Sequence, residues 1–289
     1  MSKHFRSASA ERRNFLRTAT AGLMGAAAAG LMPRQADAAT GRELRVWSCG
    51  GLAEAMNPAH AAYREKTGVA VAYTGAFAAV LGKSLMGSGR TDVFAGRVLA
   101  LARSLRKAGR MKYFVPLCFT SYLIAVPKGN PAGIRALEDL TRPGVRVAMA
   151  PEASPPGGDA VKGLLKAAGL LEPVMANVIN PGSCVQRSVK AVCEGKADAM
   201  IVERRITRIP HLGKDLEIVE IPEKFYPAGP LTFTVGLMEE AEDVPAAEAY
   251  IAWISGEEGG AFFERAGFIP AASPKGRELT EKLGVRDVA

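Results

Sequence analysis

RVWSCGGLAEAMNP, residues 45–58, runs from a strand through a glycine turn into a helix and sets the pattern for the rest of the chain. Val46 and Trp47 begin an apolar strand, and Ser48-Cys49-Gly50-Gly51 makes a turn. A helix follows from Leu52, because Leu52, Ala55, Ala59, Ala62 and Tyr63 recur at helical spacing and Gly68 closes the run. A glycine-rich turn entering a helix turns backbone N–H groups outward at the positive end of the helix dipole, a place that suits an anion. A cysteine at the same place suits a soft metal or metalloid. Beyond this stretch the alternation continues. Val69–Tyr73 reads as a strand, Phe77–Met86 as a helix, Thr91–Ala95 as a buried strand and Leu99–Ala108 as a helix. A β-α-β-α-β-α order implies a parallel sheet covered by helices.

VPLCFTSYLIAVPKGNP (115–131) reads as a long strand pair, and Val145–Met149 as a further strand. Helices are expected at Gly158–Ala168 and Val185–Glu194, and a strand at Ala199–Val202, which makes a second α/β unit. Pro210–Pro230 reads as loop. The chain turns strand-like again at GPLTFTVGLME (229–239) and ends in helices at Pro245–Ser255 and Glu257–Ala266, with no evident internal repeat. The 289 residues, 48% hydrophobic and 23% charged, suffice for one large or two ordinary domains with a sizeable core. No basic run is interleaved with aromatics, so nucleic acid is not an expected partner.

Half of the formal net charge of +8 belongs to residues 1–38, which hold Lys3, Arg6, Arg12, Arg13, Arg17 and Arg34 against Glu11 and Asp37. The segment ERRNFLR (11–17), an Ala/Gly/Leu/Met run to Met32 and Ala36-Asp37-Ala38 make a secretory signal. It resembles a twin-arginine signal, with Glu11 where that pattern has Ser or Thr, and implies export of a folded protein to the periplasm with cleavage after Ala38. The apolar run is short of the roughly 20 residues a spanning helix needs.

Five later stretches share a resemblance. REKTGVAVAYTGAF (64–77), GRTDVFAG (89–96), SYLIAVPKGNP (121–131), VKAVCEGKADAMIVE (189–203) and PAAEAYIAWISGEEGGAFFERAGF (245–268) stand in the order found in a known family. The chain resembles the periplasmic molybdate- and tungstate-type solute-binding proteins of ABC importers. The resemblance implies an α/β fold of two lobes, each built on a mainly parallel sheet flanked by helices, joined by two crossing strands. Lobe one would be 43–117 plus 232–289 and lobe two 118–231, with the ligand in a cleft that closes by hinge motion.

Carried onto this sequence, the family's binding loops give Ser48, Cys49, Gly50 and Gly51; Gly75, Ala76 and Phe77; Pro156 and Gly157; Ser183 and Cys184; and Glu203. Departures are visible. The family's Ala-Ser-Leu after the first strand reads Gly50-Gly51-Leu52, its second glycine-serine loop reads Thr74-Gly75-Ala76-Phe77, and Glu203 stands at its usual tyrosine. A carboxylate there repels an oxyanion unless Arg204 or Arg205 offsets it. The departures add sulfur. Cys49 and Cys184 each open a helix and Cys118 adjoins the first crossing strand, so the three could form a trigonal thiolate site for copper(I), zinc or a trivalent metalloid. Cys193 shares an apolar stripe with Val185, Val189 and Val192 and reads as core; a helix places it roughly 13 Å from Cys184, too far to bridge. Arg97 and Arg103 follow the Asp92 strand, where they could steer anions, but read first as solvated; His60 reads as a surface residue, and Trp47 and Trp253 as core.

The leading expectation is a monomeric periplasmic binding protein that hands a small inorganic oxyanion to an inner-membrane ABC permease, with no resident cofactor and no chemistry. The alternative is soft-metal capture by Cys49, Cys118 and Cys184. A periplasmic sensor uses the same fold. Catalysis has little support, since the sequence has no Cys-x-x-Cys, no Ser/His/Asp grouping and no His-Glu-x-x-His.

Overall fold

The structure, a computed structural model, describes residues 43–287 apart from 154–156, 180 and 228. The export signal read in residues 1–38 lies outside the described residues. Among these residues no helix is long and apolar enough to cross a membrane.

Strand β1 (Leu44–Cys49) lies inside a six-stranded sheet. Leu44 and Val46 point into a core under one face, while Trp47 packs in the cluster on the other, as the two-residue period of a strand requires. After a 3-10 turn at Gly50–Leu52, α1 (Ala53–Thr67) buries Ala55, Met56, Ala59, His60 and Tyr63 and stops at Gly68, which adopts φ 76°. The alternation continues through β2 (Val71–Ala76), α2 (Ala78–Met86), β3 (Val93–Arg97) and α3 (Leu99–Lys107). β1 pairs parallel with both β2 and β3.

The chain then crosses. β4 (Met111–Phe119) belongs to the six-stranded sheet, whereas β5 (Tyr122–Pro127), two residues later, is the centre of a three-stranded sheet. The second half continues with β6 (Val147–Ala148), α4 (Gly157–Ala167), α5 (Leu171–Ala176), β7 (Val178–Ile179), α6 (Val185–Cys193) and β8 (Met200–Glu203). The segment 210–230, read as loop, holds the short α7 (Pro210–Gly213) and β9 (Leu216–Glu220). β9 lies at a sheet edge with none of its five residues buried, so it lacks the longer buried apolar run that marks the strands around it. β10 (Thr232–Met238) returns the chain to the first sheet, and α8 (Val244–Ser255), α9 (Glu257–Arg265), β11 (Ile269–Pro270) and α10 (Pro274–Lys282) complete it.

Sheet order is β11-β4-β10-β3-β1-β2 in the first half and β8-β5-β9 in the second, with β6 and β7 paired parallel beside it. The α/β class holds, but the sheets are mixed rather than mainly parallel. β10 runs antiparallel to β3 and β4, and β5 runs antiparallel to β8 and β9. The reason is the crossing itself: a chain that leaves one sheet and returns to its middle comes back in the opposite direction. The two crossings touch, since the Thr120 N–H donates to the Leu231 carbonyl at 2.9 Å.

Candidate functional site

The ends of β1, β2, β3 and β8 and the starts of several helices surround a cavity of about 450 Å³. Gly50 and Gly51 open the turn into α1, Phe77 and Ala78 open α2, Gly157 opens α4, and Ser183, Cys184 and Val185 open α6; all of these line the cavity. The first N–H groups of a helix have no acceptor within the helix, so these beginnings bring donors to one space. Gly158 makes the α4 entry possible, because a Cβ there would fall 2.3 Å from the Pro151 carbonyl oxygen. Phe77 is 67% exposed, an apolar ring at the mouth.

The floor is charged. Arg97 ends β3, and Glu203 ends β8 in the other half. One Glu203 oxygen pairs with Arg97, and the other accepts from Arg205 Nε at 2.6 Å. Arg97 also donates to the Tyr122 hydroxyl at 3.2 Å, with its guanidinium 5.3 Å from the centre of the Phe233 ring. Arg205 lies 3.8 Å from Glu54 of α1 and packs against Gly51. Gly267, at φ 87°, lets the turn after α9 lie on Arg205 and Arg208, where a Cβ would come within about 3.1 Å of Arg205 backbone. All three floor side chains are at most 15% exposed. Burial alone would raise the Glu203 pKa, but the charges and hydrogen bonds of Arg97 and Arg205 prevail and bring it down to about 2. Burial likewise opposes the Arg97 charge, and Glu203 together with Tyr122 and Cys49 outweighs it, so the Arg97 pKa is raised. The expected repulsion by Glu203 is therefore offset by Arg205 together with Arg97, while Arg204 turns to Glu220 and Ser121.

Cys49, Gly50, Gly51, Ala76, Phe77, Gly157, Ser183, Cys184 and Glu203 all line the cavity. Ser48 and Gly75 do not. Ser48 is fully buried and hydrogen-bonds the Tyr73 hydroxyl at 2.7 Å, because strand alternation turns it away from its neighbour Cys49. Gly75 lies against that same Tyr73 hydroxyl. Pro156 lies outside the described residues.

The thiolate trio does not assemble. Cys118 is fully buried on β4, paired with Phe233 and Pro270, and absent from the cavity wall. Cys118 shares a core cluster with Cys49, close enough for Cys49 to raise its pKa, and both are free thiols. Burial pushes the Cys49 thiol up to about 11, against the pull of Arg97 and Arg205, and holds Cys118 well above its ordinary value. Cys184 is exposed. Among the described residues no cluster of three His, Cys, Asp or Glu side chains could hold a metal ion.

Other expectations need correction. Arg97 is 8% exposed, not solvated. His60 is buried, 2.7 Å from the Tyr250 hydroxyl, and burial brings its pKa down to about 4. Trp47 and Trp253 are partly buried at the margins of core clusters, as is Cys193. Tyr122, Phe233 and Glu54 line the cavity without having been singled out in the sequence, and Arg97, set aside there as solvated, lines it too. The one available signal was positional: Arg97 stands five residues after Asp92, as Glu203 stands five after Asp198.

With this geometry in view, the likeness to known proteins has a physical counterpart. The family described as bacterial extracellular solute-binding protein matches residues 44–269. The molybdate-binding protein ModA of Mycobacterium tuberculosis (strain ATCC 25618 / H37Rv) is 26% identical over 204 residues, covering 70% of this chain and 74% of that one. The periplasmic molybdate-binding protein of Azotobacter vinelandii superposes with a TM-score of 0.62 at 18% identity, covering 78% of this chain and 99% of that one. The ferric binding protein of Campylobacter jejuni superposes with a TM-score of 0.63 at 17% identity, covering 82% and 90%. These structures share the fold, one belonging to a molybdate-binding protein and the other to a ferric binding protein. The family match spans most of the chain and takes in every strand from β1 to the start of β11, and on that ground the chain belongs to the bacterial extracellular solute-binding protein family.

Proposed function

We propose that the protein captures a small inorganic oxyanion of the molybdate and tungstate type and delivers it to an ABC permease. One observation carries this reading: four helix beginnings from both halves of the chain line a single cavity, with two guanidiniums on its floor. Convergent N–H donors with a modest positive charge suit a tetrahedral anion. The 26% identical relative whose name is molybdate-binding protein supports the ligand class. The ligand groups are the backbones of Cys49, Gly50, Gly51, Ala76, Phe77, Gly157, Ser183 and Cys184. The halves act as lobes, 43–117 plus 232–289 and 118–231, that close on a hinge at the paired crossings near Thr120 and Leu231. The export signal routes the folded monomer to the periplasm by the twin-arginine pathway, with cleavage near Ala38. The protein performs no chemistry on its cargo and needs no cofactor.

A ligand that binds only the native state raises its stability by about 2.7 kcal/mol at a hundredfold excess over Kd. The mature protein, residues 39–289, should therefore melt several degrees higher in molybdate or tungstate than in chloride at equal ionic strength. No shift with either of these oxyanions would refute the reading.

A further inference from the structure

Oxyanion capture asks for cations that can face the solute, yet both guanidiniums on this floor already hold a carboxylate. Glu203 spans the cleft, with one oxygen on Arg97 of the six-stranded half and the other on Arg205 of its own half. The guanidiniums are fixed from behind. Arg97 is held by the Tyr122 hydroxyl and the Phe233 ring, Arg205 by the glycine turns at Gly51 and Gly267. The two cations and one carboxylate leave a floor of about one positive charge, which Glu54, 3.8 Å from Arg205, reduces further.

We propose that Glu203 is the specificity-determining residue of the cleft, an internal competitor that occupies Arg97 and Arg205 and so sets how strongly an anion is held. This rests on the anion-binding reading above. An entering anion must either take donors from Glu203 or sit beside an ionised carboxylate in a partly dry space. Both weaken binding, and a dianion meets the stronger repulsion. Glu203→Gln keeps the side chain's size and removes the competing charge.

The experiment is calorimetric titration of molybdate and sulfate into the wild type and into E203Q, E203D and E172Q, at fixed ionic strength. Glu172 lies in the first turn of α5, away from the cavity, so E172Q makes the same change in net charge elsewhere. E203Q should bind both anions at least tenfold more tightly, with a steeper loss of affinity as sodium chloride rises. E203D, which retracts the carboxylate by one methylene, should tighten binding a few-fold, and E172Q should match the wild type. Unchanged or weaker binding by E203Q overturns the inference, as does equal tightening by E172Q. Circular dichroism checks folding; if E203Q does not fold, E203D decides by the same criterion. Binding by E203Q with none by the wild type supports the inference and refutes oxyanion capture as the native function. Binding by the wild type with no gain in E203Q does the reverse, and failure of both proteins to bind overturns both.

Discussion

Arg45 with Asp92 in the six-stranded half and Arg146 with Asp198 in the other are the same device used twice. Each arginine gives its backbone N–H to the aspartate, at 2.9 Å and 2.8 Å, and its Nε to the same oxygen at 3.2 Å in both. Each arginine's Nη2 takes the second oxygen, at 2.8 Å and 2.6 Å, and each aspartate N–H returns to the arginine carbonyl. The pair thus ties the root of one strand to the root of the next. Four residues beyond each arginine the chain reaches the cavity, at Cys49 and at Ala150. Five residues beyond each aspartate it reaches the floor, at Arg97 and at Glu203. Equivalent positions in the two halves carry opposite charges and meet each other. The device is better protected in the first half, where Asp92 is 4% exposed and also accepts from the Glu242 N–H; Asp198 is 12% exposed.

The largest effect should come from breaking the pair where the halves meet. Arg97→Met leaves Glu203 buried with one partner fewer, and loss of one member of a buried pair costs about 3–5 kcal/mol. A fall in unfolding free energy of that size is expected from urea denaturation, and a loss under about 1 kcal/mol would mean that the floor carries no such charge coupling. Next come the two roots. Asp92→Ala should cost about 3 kcal/mol and Asp198→Ala about 2 kcal/mol, in proportion to burial and to the donors each strands. Equal losses would erase the difference drawn between the halves.

A smaller effect follows from acid. The folded-state pKa of Glu203, about 2, lies below its ordinary 4.5, and Arg146 lowers that of Asp198 through its hydrogen bonds. Groups with depressed values contribute stability that is complete above their unfolded pKa and lost as pH falls through the folded one. Between pH 5 and pH 2.5 the Glu203 contribution should fall by on the order of 2 kcal/mol. E203Q should show a correspondingly shallower slope of unfolding free energy over that window, and a slope identical to wild type would contradict the buried, ionised carboxylate.

The smallest effect concerns sulfur. Cys184 is exposed, Cys193 half-buried, and Cys49 and Cys118 buried. Native labelling should modify Cys184 first, and denaturation should reveal four free thiols. Cys184→Ser should change stability by less than about 0.5 kcal/mol, as for other exposed positions. Rapid native labelling of Cys49 would show that the first half's loop is more open than its partner.

Much of the site was legible because loops between a strand and a helix announce themselves locally. Gly50-Gly51, Ala76-Phe77 and Ser183-Cys184 are each flanked by an apolar strand and a helical stripe, and all line the cavity. Arg97 was not legible in this way. An arginine at a strand end reads as solvated unless its partner is known, and that partner comes from the other half of the chain. Cys118 misled for the complementary reason: nearness to a crossing strand says nothing about which face its side chain takes.

The α/β class, the order of most elements and three loops that line the cavity follow from local signals along the chain. Side-chain period and turn residues are properties of neighbours in the chain, and they act before any long-range contact forms. That β10 returns antiparallel through the first sheet, that Cys118 stays in the core and that Glu203 lies between two arginines came from long-range packing alone. Each of these depends on where two distant segments meet, and burial there reverses what the same residues would do in water.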